Sequence, residues 1–370
     1  MTVQHRFDSV EDAIKAIANG ELIVVVDDDD RENEGDLIMA AAKATPEQIA
    51  FMIRHTSGIL CTPLLPDRAN RLNLNPMVHR NDAPLQTAFT VSVDYRVGLT
   101  TGISAEERTA TVRALANGNT VSDDFVRPGH IFPLIAKPGG VLVRSGHTEA
   151  ATDLAALAGL PPVGVLAELV NDDGTVKRLP ELFAFAAEHG LRMISIAALI
   201  AYRQTRERLV ERAAEFTVQT EIGPARAIAF STAFDTVQHL ALLVGDVERA
   251  SRPVRVRIHR QRVIDDVFAP RDEAVVSRAL ARIAETGAGA LIYLREGSAG
   301  VQVPPLHAQA AQRSEGSEEA RVRHWREVGV GAQILRDLRL TSIVLLTTRP
   351  PVDYAGLRGF GIEIAGTETL

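Results

Sequence analysis

Apolar residues fall in short blocks along this chain, and their spacing predicts the elements. Val10, Ala13, Ile14 and Ile17 share one face at helical spacing. Ser9 is placed to cap that helix, Glu11 and Asp12 fill its first turn, and Gly20 ends it. Residues 22–26 form an unbroken apolar run, which predicts a buried strand, and 37–42 predict another after an intensely polar stretch. Thr45 and Pro46 start a helix. Strands are predicted at 59–62 and 88–93. Ser104 and Glu107 have the spacing of a capping box and open a helix ending near Asn117. Residues 141–143 predict a strand, and Thr148 caps an alanine-rich helix reaching Gly159. A strand at 163–169, a helix from Pro180 to Gly190 and a short strand at 193–196 complete the first half. The stretch 202–215 is charge-dense and suits a solvated helix or a linker. Beyond it, strands are predicted at 225–230, 237–243 and 254–258, and a helix at about 273–285. Residues 297–321 are polar, contain prolines and predict a mobile loop.

Strands and helices mix without regular alternation, which points to an α+β class with a mixed sheet in each half rather than a doubly wound fold. A length of 370 residues exceeds one ordinary core. The expected division is a domain at 1–203, a linker at 204–215 and a domain at 216–370. A net charge of -7, with no basic stripe interleaved with aromatics, argues against a nucleic-acid partner. No segment approaches the roughly 18 uninterrupted apolar residues of a membrane span. The first residues carry acids early and lack an apolar secretory core, so a cytoplasmic protein is expected. Cys61 is the single cysteine, which excludes an internal disulfide and a cysteine-rich zinc site.

The chemistry concentrates in a few segments. Residues 27–36, DDDDRENEGD, hold seven carboxylates within ten positions directly after an apolar strand. Such crowding favours protonation unless a cation offsets it, and magnesium prefers oxygen ligands. A solvated acidic loop is the competing reading, and Gly35 suits a tight turn. Residues 144–150, RSGHTEA, lie between a predicted strand and a capped helix. Backbone N–H groups at a helix start, with Arg144 beside them, suit a phosphate; a plain helix cap with a structural histidine is the alternative. His130 follows a Pro-Gly turn. Glu168 ends an apolar run and is a candidate general acid or base. Cys61 sits in an apolar segment that predicts burial. Thr101 belongs to a turn able to lend hydroxyls to a polar substrate.

Taken together, 27–36, GILCTPL at 58–64, TTGISAEER at 100–108, RPGHIFPL at 127–134, RSGHTEA at 144–150 and the strand ending at Glu168 resemble 3,4-dihydroxy-2-butanone 4-phosphate synthase, across residues 1–203. The resemblance implies conversion of ribulose 5-phosphate to dihydroxybutanone phosphate and formate with magnesium, manganese being the alternative ion. It implies that Glu32 and His147 ligate the metal and that Arg31 and Asp36 contact substrate. Arg144, Ser145, Gly146, His147 and Thr148 would hold the phosphate. His130 and Glu168 match positions essential for catalysis, Cys61 matches a cysteine lining the site, and a homodimer with sites near the subunit interface is implied.

From about residue 213 the chain resembles GTP cyclohydrolase II, through 223–227, 254–259, 266–268, 330–335 and 354–357. That family needs three cysteines for zinc. Here Arg262 stands at the first position, and 269–273, APRDE, replaces the stretch bearing the other two. Residues 295–300, His324 and 347–349 also depart from its pattern, although Arg326 remains. The resemblance therefore implies a second domain without zinc and without cyclohydrolase activity.

Overall fold

The structure is a computed structural model describing residues 6–27, 32–232, 237–247, 250, 253–295, 329–348, 357 and 360–370. Arg31, residues 296–300, His324, Arg326, Arg349 and 354–356, all singled out from the sequence, lie outside that set, as does the predicted mobile loop at 297–321. The chain divides into two compact units, Met1–Tyr202 and Arg203–Leu370.

The first unit opens with helix α1 (Val10–Asn19), where Ser9 accepts from the Asp12 N–H and Gly20 takes the left-handed conformation that stops the helix. Strands β1 (Ile23–Val26) and β2 (Gly35–Ala40) flank the acidic loop and pair antiparallel. Helix α2 (Pro46–His55) carries a full Thr45–Gln48 capping box. Strand β3 (Cys61–Leu64), helix α3 (Pro66–Arg71), strand β4 (Val93–Tyr95) and helix α4 (Ala105–Ala116) follow. The long strand β5 (Phe125–Ile135), helix α5 (His147–Leu157), strand β6 (Gly164–Glu168), helix α6 (Leu179–His189), strand β7 (Arg192–Ser195) and helix α7 (Ile196–Arg206) complete the run.

The sheet order is β4-β5-β3-β6-β2-β1-β7, with parallel and antiparallel neighbours mixed. The central strands β1 and β2 are buried at every position. This is why they read as continuous apolar runs rather than alternating ones. One core cluster runs from Leu22 to Met193 beneath the helices. Residues 141–143 are not a strand. Gly140–Leu142 make a single 3-10 turn, with Gly139 and Gly140 both at positive φ. The apolar pattern there reflects burial, not extension.

The second unit has strands β8 (Val210–Thr220), β9 (Gly223–Thr232), β10 (His239–Val244) and β11 (Val254–Arg260), then helices α8 (Val263–Val267) and α9 (Val275–Thr286). Strands β12 (Gly289–Leu294), β13 (Ser342–Thr347) and β14 (Glu363–Thr369) close a mixed sheet ordered β14-β13-β11-β12-β10-β9-β8. The stretch 204–215 is not an irregular linker: α7 runs to Arg206, and 210–215 already belong to β8, pairing with β9. Its charges mislead because this edge strand is exposed along most of its length. Among the described residues, no helix is long and apolar enough to cross a membrane.

Candidate active site

Strand register assembles the site. Asp36, near the start of β2, lies opposite Glu168 at the end of β6, and Cys61 opens β3 opposite Leu166. Three chemically distinct side chains thus converge on neighbouring central strands. A cavity of about 210 Å³ is lined by Glu32, Glu34, Asp36, Cys61, Arg144, His147, Thr148 and Glu168, with Thr87, Phe89, Leu134 and Leu166 as its remaining wall.

The acidic loop leaves β1 and is braced at its base. Buried Asp27 accepts from the Glu32 N–H (3.2 Å) and the Glu34 N–H (2.9 Å), and its own N–H donates to the Glu34 carbonyl. Asn33 takes the positive φ of the turn. Gly35 therefore has another task than the tight turn its sequence suggests. A Cβ there would lie 2.6 Å from the Leu182 side chain of α6, so a larger residue would force that leucine to shift.

His147 is buried at the first position of α5. Its Nε2 donates to the Val25 carbonyl at 3.1 Å, which fixes the tautomer of the neutral ring and leaves the lone pair on Nδ1. That nitrogen lies 3.9 Å from Glu32 and 3.8 Å from Asp36. One atom each of Asp27, Glu32 and His147 fall within 4.8 Å of one another. Asp36 Oδ1 is buried and accepts no hydrogen bond from the described residues. Burial, then the charges of Glu168, Glu32, Asp27 and Glu34, push the Asp36 carboxyl well above the usual carboxylate range. Glu34 is raised as well, by its burial and by Glu32 and Glu168. A nitrogen lone pair facing carboxylates that repel one another is resolved by a cation among them, and an oxygen-rich donor set with one imidazole suits a hard divalent ion.

The cavity wall also holds one cationic side chain, Arg144, paired with an acid behind it. Arg144 is held by buried Glu149 at 2.8 Å and reaches the Leu85 carbonyl and Thr87 hydroxyl. Glu149 also accepts from the Lys137 N–H. The cap of α5 is Gly146, not Thr148; Thr148 instead occupies the first turn and lines the cavity. Ser145 is buried in the approach to the helix. Glu168, half-buried, has one carboxylate oxygen held by the Ser57 hydroxyl at 2.6 Å. Burial, and then Glu168 and Asp36, push the Cys61 thiol far up, so it stays a neutral thiol.

Among the expected residues that are described, Ser145 and Gly146 adjoin the cavity's helix without lining it, and His130 and Thr101 lie outside it. His130, on β5, has Nδ1 2.7 Å from buried Asp94 of β4, and its N–H donates to the same carboxylate at 2.8 Å. Thr101 is exposed, and its neighbour Gly102 packs so closely that a Cβ would meet Asp94 and His130. Sequence reasoning missed Asp94, Glu149 and Asp27 as individuals. Asp94 and Glu149 are single acids in unremarked contexts, and Asp27 was hidden among six other carboxylates.

The sequence profile described as 3,4-dihydroxy-2-butanone 4-phosphate synthase matches residues 11–202, and that described as GTP cyclohydrolase II matches 211–369. The riboflavin biosynthesis protein RibBA of Bacillus velezensis is 47% identical over 369 residues, spanning 97% of this chain and 92% of that protein. The crystal structure of RibBX, a two-domain 3,4-dihydroxy-2-butanone 4-phosphate synthase from A. baumannii, superposes with a TM-score of 0.81 at 38% identity, covering 98% of this chain and 99% of that one. A 3,4-dihydroxy-2-butanone 4-phosphate synthase in complex with two magnesium ions matches at a TM-score of 0.53 and 45% identity, covering 54% of this chain and 98% of that one.

Proposed function

Because the chain belongs to the 3,4-dihydroxy-2-butanone 4-phosphate synthase family, lyases of riboflavin biosynthesis, and carries a GTP cyclohydrolase II family domain behind it, we propose that its first unit is a magnesium-dependent synthase and its second a domain without cyclohydrolase activity. The observation that carries the first part is the meeting of Glu32, Asp27 and His147 beside the unsatisfied Asp36.

Glu32 and His147 would hold the cation, with Asp27 bracing the loop. The cation, magnesium or in its place manganese, would polarise sugar oxygens and offset the site's negative charge. Arg144 and the N–H groups at the start of α5 bind the phosphate of ribulose 5-phosphate. That anchor sets the sugar carbons between Asp36, Cys61 and Glu168. The substrate loses a proton beside its carbonyl to give an enediol, and a carboxylate of this trio accepts it. Asp36, its carboxyl raised by burial, and the neutral Cys61 thiol supply protons during loss of water and the skeletal shift that ends in formate. The walls Phe89, Leu134 and Leu166 keep bulk water from the enediol.

His130 and Thr101 would reach this chemistry from a second copy. They sit by β4, the edge strand of the sheet, and His130 is half-exposed with its ring oriented by Asp94. A homodimer with shared sites is the arrangement this favours.

For the second unit, Arg262 supports loss of zinc. Its N–H donates to Asp266 and its guanidinium pairs with Asp265 at the start of α8, placing a cation where a thiolate ligand is required. The chain's one cysteine is on β3, in the other unit. Similarity to RibBA along both units favours a second reading, a bifunctional enzyme. One assay separates them. Purified protein should release formate from ribulose 5-phosphate with magnesium, lose that activity with a chelator, and release none from GTP with zinc added. Formate from GTP establishes the bifunctional reading; none from either substrate, with folded protein, overturns both.

A further inference from the structure

The acidic loop poses a physical problem. Seven carboxylates crowd residues 27–36, so their mutual repulsion opposes gathering Glu32, Asp27 and Asp36 around His147. Asp27 braces its interior through two N–H groups, but it is itself one of the seven carboxylates and offsets none of their charge.

A cation meets the loop from outside. Arg178, at the N-cap of α6, donates from Nη1 to the Glu32 carbonyl at 2.8 Å and to the Asn33 carbonyl at 2.5 Å. These contacts bridge 146 and 145 positions of sequence, so no local turn explains them. The two carbonyls belong to the residue carrying the metal-facing carboxylate and to the residue at positive φ that turns the chain. Arg178 is itself set in place: its N–H donates to Glu181, which also accepts from Asn171. One turn further along α6, the Leu182 side chain packs directly over Gly35, 2.6 Å from where a Cβ would stand. Helix α6 thus holds the loop at its turn with a charge and at its exit with an apolar side chain.

We propose that Arg178 is a positioning residue for the metal site: it latches the acidic loop from α6 and presets Glu32 toward His147 before any cation arrives. The inference rests on the metal reading of Glu32 and His147, and adds to it a residue that touches neither cation nor substrate. Without the latch, Glu32 samples orientations that do not share an ion with His147. Apparent affinity then falls by the fraction of time the site is formed.

Manganese serves as the probe, its binding to the full-length protein read from the loss of the free-ion electron paramagnetic resonance signal. Arg178→Ala is expected to weaken manganese binding roughly tenfold, the loss equivalent to removing one or two hydrogen bonds to charged groups. Arg178→Lys should recover part of it through a single cationic donor. With saturating metal, kcat should return toward the parent value; a merely structural lesion would instead lower the urea midpoint of the metal-free protein without moving the manganese affinity of the folded protein. Glu32→Ala, run alongside, tests the metal reading itself and should abolish the binding. If Glu32→Ala abolishes binding while Arg178→Ala leaves the affinity unchanged, the latch is wrong and the metal reading stands. If Glu32→Ala binds manganese like the parent, the metal reading fails and the latch with it.

Discussion

At the scale of single residues, Asp36 carries the clearest energetic signature. A carboxyl raised by burial and by four neighbouring acids keeps a proton in the folded chain that the unfolded chain has lost. The native state therefore binds more protons at this site, and its contribution to stability declines as pH rises from about 4, the ordinary aspartate value. In chelator-treated protein, Asp36→Asn removes that penalty. The variant should melt at a higher temperature than the parent at pH 8, with the gap narrowing as pH falls toward 5, while formate production drops at least a hundredfold. A variant that melts lower than its parent at pH 8 would show that Asp36 is not held against its charge. Stability gained and turnover lost at one position is the pattern expected of a strained functional residue. The chemistry-bearing residue types were legible from sequence because they recur in linked segments. The resemblance already pointed to Glu32 and His147; what the sequence did not reveal is the Asp27 brace that holds the loop between them.

At the scale of elements, most caps and stops read from sequence match, Thr148 of α5 being the exception. Ser9, Thr45 and Ser104 cap the helices assigned to them, and Gly20 and Gly190 end theirs. The signal failed where burial mimicked strand, at Gly140–Leu142, and where an exposed edge strand resembled a linker, in β8. Gly129 exposes a contact that no periodicity reveals. It lies on β5 against β4, and a Cβ there would stand 2.0 Å from the Val93 backbone. Backbone cannot yield as a flexible side chain does, so Gly129→Ala must separate the two strands and with them the Asp94–His130 pair. A loss of about 1–3 kcal/mol in urea unfolding is expected, the usual cost of overpacking. A fall in kcat should accompany it. Unchanged stability would mean that the strands approach less closely than the pairing requires.

At the scale of the whole molecule, the two units carry unequal chemistry on mixed sheets of similar size. The first gathers acids, an imidazole and the start of α5, with Arg144 beside it, around one cavity. The second keeps its apolar core, with Ile228, Phe230, Ile292 and Leu335 fully buried, while Arg262 stands where the sequence resemblance leads us to expect a zinc ligand. Core packing and site chemistry are separable in this way because burial depends on apolar volume and a metal site on a few donor atoms. Sequence alone showed both the mixed-sheet class of each half and the departures at Arg262 and 269–273. It could not show how β2, β6 and α5 bring Glu32, Asp36, Glu168 and His147 into one cavity, because strand order is a long-range property. That convergence is the central claim, and anomalous diffraction from crystals grown with manganese tests it most directly. The expected result is an anomalous peak between the Glu32 carboxylate and the His147 ring, the two residues that would hold the cation. Catalytically active crystals with no peak between those two residues would contradict it.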